Sequence, residues 1–245
     1  MENQDFSFKK YTGKETKVHV ESETLITQGT FGDIFDTVVE IGGHRKKFIV
    51  KKYTSIGRSE KSSILPEEYI EEMLRNDTTM AFERYSLAKK AGLKVFPTFR
   101  IGEDEKSILM TTGFSDNEIC VGTNSMVSVK NFEKPLIQKI ENVDQFLADF
   151  FAEGLKATQQ GILLYFDVFF FILSKKEPTK VDFLIGDFDN FSQPGYEIKN
   201  LKYRNMEQIR NALEDFCKRN IHKNYTGIFL EKVEYYFQQA RGKWE

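Results

Sequence analysis

Short runs of alternating polar and apolar residues fill the first half of the chain, and this period of two is typical of β-strands. Residues 34–41 and 45–53 are two such runs, rich in β-branched and aromatic residues, with Gly42 and Gly43 between them. Paired glycines accept the positive φ angles of a tight turn, so the pattern predicts a β-hairpin. Other short runs predict further strands in this half of the chain: 17–20, 24–27, 95–101 and 107–111.

A helical period replaces this alternation between Pro66 and Lys90, where apolar residues recur at spacings of three and four. The polar run 76–79 is expected to break this region into two helices, and Gly92 is expected to end the second one. Strand-rich sequence gives way to helix-rich sequence at 113–117, which we interpret as a connector.

Two sequences in the second half match a capping box, in which an asparagine accepts from a free backbone amide and a glutamine three residues later reaches back. Asn142 with Gln145 predicts the start of a helix that Gly161 ends. Asn205 with Gln208 predicts the start of another helix.

The most apolar part of the sequence carries acidic residues. Asp167 lies inside the run 161–174, and Asp187 and Asp189 directly follow a second apolar run, 181–186. We expect two short strands around Asp167 and a third strand before Asp187. Because an unpaired buried carboxylate costs several kcal/mol, a chain that keeps one in such a segment has a use or a partner for it.

Composition narrows the class of protein. The 35 basic and 37 acidic residues are interspersed and give a formal net charge of -2, which argues against a dedicated nucleic-acid binder. Cys120 and Cys217 have no metal or redox spacing, and the three histidines are scattered. The longest apolar run falls short of the roughly 18 to 20 residues that span a bilayer. The polar N-terminus carries no secretion signal, so a soluble cytoplasmic protein without membrane insertion is expected.

Elements in the first half resemble those of the protein-kinase-like fold. Gly29-Thr30-Phe31-Gly32 is similar to the second half of the kinase glycine-rich loop. Glycines there let backbone amides approach a triphosphate. Lys51, which ends the triplet Phe-Ile-Val, resembles the strand lysine that holds the α- and β-phosphates of ATP.

The resemblance extends to later positions. Glu83 is similar to the helix glutamate that keeps this lysine extended. Met110 and Thr112 resemble the strand that enters the nucleotide-binding hinge. Asp187 is similar to the aspartate of the Asp-Phe-Gly motif, which binds magnesium, and Asp167 lies where the family carries its catalytic-loop aspartate.

The resemblance implies an α+β, bilobal fold. An N-lobe with an antiparallel β-sheet and one or two helices would span 1–112, a hinge would lie at 113–117, and a small, trimmed helical C-lobe would span 118–245. It also implies ATP and Mg2+ as cofactors. Asp167 would accept a proton from the hydroxyl of an acceptor, which could be a small molecule or a protein.

The chain also departs from the family pattern. Thr27 replaces the first glycine of the loop, Tyr165 and Phe166 replace the two residues before the catalytic aspartate, and Ile172 replaces the asparagine that binds a second magnesium. Asp189 replaces the glycine of Asp-Phe-Gly and is either a substitute metal ligand or a loop residue. The short remainder after it resembles the compact atypical kinases, of the RIO or aminoglycoside-phosphotransferase type.

Simpler interpretations stay open beside this one. The glycines can form a plain hairpin turn, Lys51 can be part of a solvated basic face, and Glu71 or Glu72 can take the role of Glu83. A pseudokinase that binds nucleotide or acts as a scaffold is the main alternative to an active phosphotransferase. A weaker one is an interaction domain in which the basic strand 45–52 contacts an acidic partner or RNA.

Overall fold

The computed structural model of the chain describes residues 4–9, 15–28, 32–54, 67–101, 106–111, 117–123, 137–176, 178–188 and 197–242. These residues form nine strands and four α-helices, so the fold is α+β, as predicted. The chain divides into two compact units, one made of Met1–Ser86 and Phe96–Gly113 and the other of Leu87–Val95 and Phe114–Glu245.

Six antiparallel strands close into a barrel in the first unit, in the order β1-β2-β3-β4-β6-β5. Their bounds are β1 Gln4–Lys9, β2 Glu15–Gln28, β3 Gly32–Ile41, β4 His44–Tyr53, β5 Thr98–Ile101 and β6 Ser107–Thr111. The predicted hairpin is confirmed as β3 and β4. Gly42 and Gly43 at its turn have φ angles of 58° and 78°, which residues with a Cβ rarely adopt.

The sequence pattern predicts two short strands in the region of β2, and this prediction is wrong. β2 runs unbroken and keeps its pairing with β3 through register shifts between Val20 and Ser22 and between Leu25 and Thr27. A bulge inserts an extra residue without ending the strand. Ser22 and Glu23, between the two apolar runs, therefore stay in the ladder, and Glu21 is the extra residue of the first register shift.

One helix, α1 (Glu67–Lys90), forms where two are predicted. The polar run does not break it, and Thr78 shows why. This fully buried residue donates its hydroxyl to the carbonyl oxygen of Leu74 at 2.9 Å, so its polar group is satisfied inside the helix. Gly92 follows the helix with a φ angle of 75° and ends it as predicted.

The second unit combines a three-stranded antiparallel sheet with three helices. The strands, in their order in the sheet, are β7 Glu118–Gly122, β8 Phe169–Ser174 and β9 Val181–Ile185. The helices are α2 Val143–Gln159, α3 Ile198–Asn220 and α4 Lys223–Gly242. A 3-10 turn, Phe166–Val168, immediately precedes β8. None of the four described helices is long and apolar enough to cross a membrane.

Phenylalanine rings hold this sheet against two helices. The ring centre of Phe150 in α2 lies 4.7 Å from that of Phe169 in β8 and 4.6 Å from that of Phe183 in β9. Phe171 of β8 lies 4.2 Å from Phe216 of α3. Aromatic pairs of this kind add about 0.5–1.5 kcal/mol each beyond the burial of their area. The central strand β8 is therefore fixed by α2 and α3. This gives the 3-10 turn that immediately precedes β8 a rigid support.

The two predicted capping boxes have different outcomes. α2 begins directly after Asn142, as predicted, and ends before Gly161. The side chain of Asn142 makes no cap hydrogen bond, however, and instead exchanges two hydrogen bonds with the backbone of Val181. α3 begins at Ile198, well before Asn205, so the second predicted start is wrong.

Candidate functional site

Two of the predicted acidic residues lie close together in the second unit. Asp167 is in the middle of the 3-10 turn before β8, and Asp187 follows β9. Gly186 donates its amide to the carbonyl oxygen of Val168 at 2.9 Å. The neighbours of the two aspartates are therefore directly hydrogen-bonded, and the pairing of β8 with β9 places each aspartate one residue away from this bond.

Asp187 has a left-handed backbone. Its φ angle is 51°, and no other non-glycine residue in the described part of the chain has a positive φ. This conformation costs roughly 1–2 kcal/mol for a residue with a Cβ, although aspartate adopts it more readily than most. The next residue, Phe188, is 1% exposed and anchors the chain in the core. Strain that the surroundings impose in this way is concentrated at functional sites.

Asp167 lies in a turn with a buried and an exposed side. Its Oδ1 atom is buried, whereas Tyr165 and Phe166 are 39% and 40% exposed. Val168 donates its amide to the carbonyl oxygen of Tyr165 at 3.3 Å and closes the turn. Residues 162–165 do not form a strand, so the strand predicted before Asp167 is wrong.

Two side chains of α3 hold the segment before Asp167 and explain why it is not a strand. Oδ1 of the fully buried Asn205 accepts the amide of Leu164 at 2.8 Å, and its Nδ2 donates to the carbonyl oxygen of Ile162 at 2.8 Å. One turn later, Gln208 accepts the amide of Phe166 at 2.9 Å. The spacing that suggests a capping box therefore places both amide side chains on one helix face, where they bind this segment.

Thr123, directly after β7, contacts both ends of the turn. Its hydroxyl oxygen lies 2.6 Å from the carbonyl oxygen of Phe166 and 3.2 Å from that of Phe169. Arg219 of α3 donates to the carbonyl oxygen of Gly122 at 2.8 Å and secures the end of β7. Sequence reasoning missed Thr123 and Arg219, because one threonine after a short strand and one arginine within a helix match no motif.

In the first unit, Lys51 and Lys52 of β4 have different environments. Lys51 is 7% exposed, and its Nζ lies 5.3 Å from the ring centre of Tyr53. Nζ of Lys52 forms an ion pair with Glu23 of β2 at 2.5 Å. Successive residues of a strand point to opposite faces, and lysine is almost never fully buried without a partner or a role. Lys51 is therefore the better candidate for a functional cation.

Gly32 has a packing reason to be glycine. A Cβ at this position would clash with the backbone carbonyl oxygen of Lys52 on the paired strand. Close approach of β3 to β4 accounts for Gly32 without any phosphate. The other candidates of the glycine-bearing loop, Gly29, Thr30 and Phe31, lie outside the described residues.

The remaining candidates have different surroundings. Glu83 is exposed on α1, and Met110 lies on β6, the strand that pairs with β4. Ile172, which stands where the kinase resemblance would require a second magnesium ligand, is buried within β8 and supplies no polar group. Thr112 and Asp189 lie outside the described residues.

The basic strand β4 is partly neutralised by acidic residues of β2, which lies beyond β3 in the barrel. Arg45 forms an ion pair with Glu21 of β2, and Lys52 forms one with Glu23 of the same strand. Both ion pairs reach across the intervening strand β3 and are partly exposed, so each adds at most about 1 kcal/mol of stability. The positive charge that this strand offers to an acidic partner is smaller than the sequence alone suggests.

Asp167 and Asp187 supply oxygen ligands, the type that Mg2+ prefers. Within the residues that the structure describes, no group of three or more His, Cys, Asp or Glu side chains could hold a metal ion. A magnesium ion shared with substrate phosphates needs only one or two protein carboxylates. Asp167 and Asp187 are two carboxylates of the required type.

The sequence matches no protein-family model, and none of the curated proteins matches it. Information on function comes from the geometry of each unit. The second unit has two acidic residues beside one backbone hydrogen bond, and the first has a buried lysine on the strand next to Gly32.

Proposed function

We propose that the chain is an ATP- and Mg2+-dependent phosphotransferase, a compact atypical kinase with a bilobal, protein-kinase-like fold that acts in the cytoplasm. The observation that supports this most is the hydrogen bond between Gly186 and Val168, beside which Asp167 and Asp187 lie. Phosphoryl transfer uses one acidic residue to take the hydroxyl proton and another to hold magnesium. Two neighbouring aspartates in different backbone environments suit these two tasks.

Each candidate residue has a role in this proposal. Asp187 would hold Mg2+, with Asp189 as a second ligand, and the ion would offset the negative charge of the phosphates. Asp167 would accept the proton of the acceptor hydroxyl. Lys51 would bind the α- and β-phosphates, and Glu83 would hold it extended. Positioning and charge neutralisation would supply most of the rate enhancement.

Radiolabelled ATP tests the proposal directly. The purified chain with Mg2+ should release or transfer the labelled γ-phosphate, with autophosphorylation included in the assay. Mg2+ and ATP together should also raise the melting temperature by about 5 °C at a hundredfold excess over Kd. A protein that neither releases label nor responds to nucleotide refutes this function.

A pseudokinase is the second candidate, and Ile172 is the observation that favours it. The family places a magnesium ligand at this position, but here the side chain is apolar and buried within β8. In a pseudokinase, ATP would stabilise the protein, but the labelled γ-phosphate would be neither released nor transferred. Stabilisation that needs Mg2+, together with label transfer, would favour the phosphotransferase over this candidate.

A further inference from the structure

We propose that Thr123 is a positioning residue for Asp167, an inference that rests on the proposed phosphotransfer. Thr123 is 2% exposed and follows β7. Its hydroxyl oxygen lies within hydrogen-bond distance of the carbonyl oxygens of Phe166 and Phe169, which flank Asp167 and Val168 in the sequence. A single side chain thereby spans the turn that carries the proposed proton acceptor.

The peptide groups on both sides of Asp167 are fixed by hydrogen bonds. The carbonyl of Phe166 belongs to the peptide group before Asp167, and Thr123 donates to it at 2.6 Å. The amide of Val168 belongs to the peptide group after Asp167, and it donates to Tyr165 at 3.3 Å. Since the backbone sets the direction of a side chain, Thr123 helps to determine where the carboxylate points.

Thr123 is itself held firmly enough to act as a support. Its backbone amide donates to the carbonyl oxygen of Phe169 at 3.2 Å, and Gly122 before it pairs with Phe170 in the sheet. Arg219 of α3 binds the carbonyl of Gly122. A hydroxyl has one proton to donate. Because the Thr123 side chain is buried, that proton is donated to the carbonyl oxygens of Phe166 and Phe169 and not to water.

The substitution Thr123→Val tests this role, because it removes the hydroxyl and keeps the shape of the side chain. Thr123→Ser retains a hydroxyl and serves as the rescue variant. Thr78→Val is the matched control, since Thr78 is equally buried and donates to one helix carbonyl. Three quantities are measured in the full chain: the kcat of γ-phosphate release from ATP, the Kd for ATP with Mg2+, and deuterium exchange of the Val168 amide.

For Thr123→Val we expect kcat to fall by about tenfold to a hundredfold, with the Kd for ATP changed less than about twofold because the proposed metal and phosphate ligands remain. Exchange of the Val168 amide should rise by about fivefold or more as the turn loosens. Thr123→Ser should recover most of the wild-type kcat and most of the wild-type protection of the Val168 amide. Thr78→Val should change neither of these two quantities.

Two results would overturn the role of Thr123. One is unchanged exchange at Val168 in Thr123→Val, whatever the activity. The other is faster exchange with an unchanged kcat, which would show that the turn is held without consequence for Asp167. A wild-type chain that neither releases nor transfers phosphate would instead refute the phosphotransferase proposal, and exchange at Val168 would still decide whether Thr123 orders the turn.

Discussion

Gly186 donates its backbone amide to the carbonyl oxygen of Val168 across 2.9 Å, and this hydrogen bond joins the turn before β8 to the segment that follows β9. Asp167 precedes one partner and Asp187 follows the other. Because each aspartate is one residue away from the same hydrogen bond, we expect a backbone shift at one aspartate to disturb the other. We therefore expect substitutions at the two aspartates to be non-additive.

The backbone of Asp187 predicts an unusual order of stability among substitutions. With a φ angle of 51°, this position favours glycine, whose backbone adopts the left-handed region without strain. Asp187→Gly should therefore be more stable than Asp187→Ala by about 1 kcal/mol in urea unfolding. Both variants should lose the stabilisation that ATP with Mg2+ provides.

Asp182 supplies the control for this order. It lies within β9, where glycine loses more conformational freedom than alanine. Asp182→Gly should be less stable than Asp182→Ala, the reverse of the order at Asp187. The same order at both positions would contradict the importance of the left-handed backbone.

The two adjacent lysines of β4 should differ in function. Lys51→Met should abolish the stabilisation by ATP with Mg2+, and the chain should stay folded, because methionine fills a buried site with a similar unbranched chain. Lys52→Met should keep the nucleotide effect and lose at most about 1 kcal/mol, the value of a partly exposed ion pair with Glu23. Thermal shift with and without nucleotide measures both effects, and an equal loss of nucleotide binding would refute the distinction.

Two glycines should respond differently to alanine. A Cβ at Gly32 meets the backbone of Lys52, so Gly32→Ala should cost about 2 kcal/mol even without nucleotide. A Cβ at Gly154 in α2 meets only the ends of the Ile209 and Met206 side chains. These can rotate, and alanine favours the helix, so Gly154→Ala should change stability by less than about 1 kcal/mol. Similar costs in denaturant unfolding would contradict the packing explanation for Gly32.

Asn205 should be more important for stability than another buried asparagine. Asn205→Ala leaves the amide of Leu164 and the carbonyl of Ile162 without their side-chain partners, and we expect a loss of about 3 kcal/mol. Asn220 is buried too, but its side chain donates to the carbonyl of Phe216 in its own helix. Asn220→Ala should cost about 1 kcal/mol. Equal losses in urea unfolding would show that the segment before Asp167 does not depend on Asn205.

Cys120 predicts a stability change at alkaline pH. Burial raises its pKa from 9.0 to about 12, so the unfolded chain loses this proton before the folded chain does. The stability that the neutral thiol contributes is complete below pH 9 and is lost as the pH rises from 9 to 12. The wild type should lose about 1 kcal/mol more per pH unit in this range than Cys120→Ala. Equal pH slopes in urea unfolding would contradict the raised pKa.

Local patterns predicted much of the fold, because the relevant signals lie within a few residues. The hairpin of β3 and β4 follows from Gly42 and Gly43, and the end of α1 follows from Gly92. The errors have non-local causes. Bulges keep β2 continuous through a polar stretch, and the amide of Asn205 is used by a distant loop and not by a helix terminus. Neither can be recognised without knowing which segments are neighbours.

The acidic residues of the candidate site were predictable from the sequence, whereas the residues that hold them in place were not. Asp167 and Asp187 are conspicuous because they interrupt or follow apolar runs. The side chains of Gln208 and Thr123 contribute through hydrogen bonds to the backbone of a residue far away in the sequence, which no local pattern encodes. The left-handed φ of Asp187 is likewise a property of the folded chain, and it lies beside the buried Phe188.

Closure of the barrel limits how the first unit can bind other proteins. The contact of β1 with β5, which pairs Phe8 with Ile101 and Lys9 with Arg100, gives every described strand of this unit a hydrogen-bonded neighbour on each side. An open sheet offers its edge to an extended peptide or to a second copy of itself. Where the described strands are paired on both sides there is no such edge, so a partner at those positions would have to recognise side chains on the outside of the barrel.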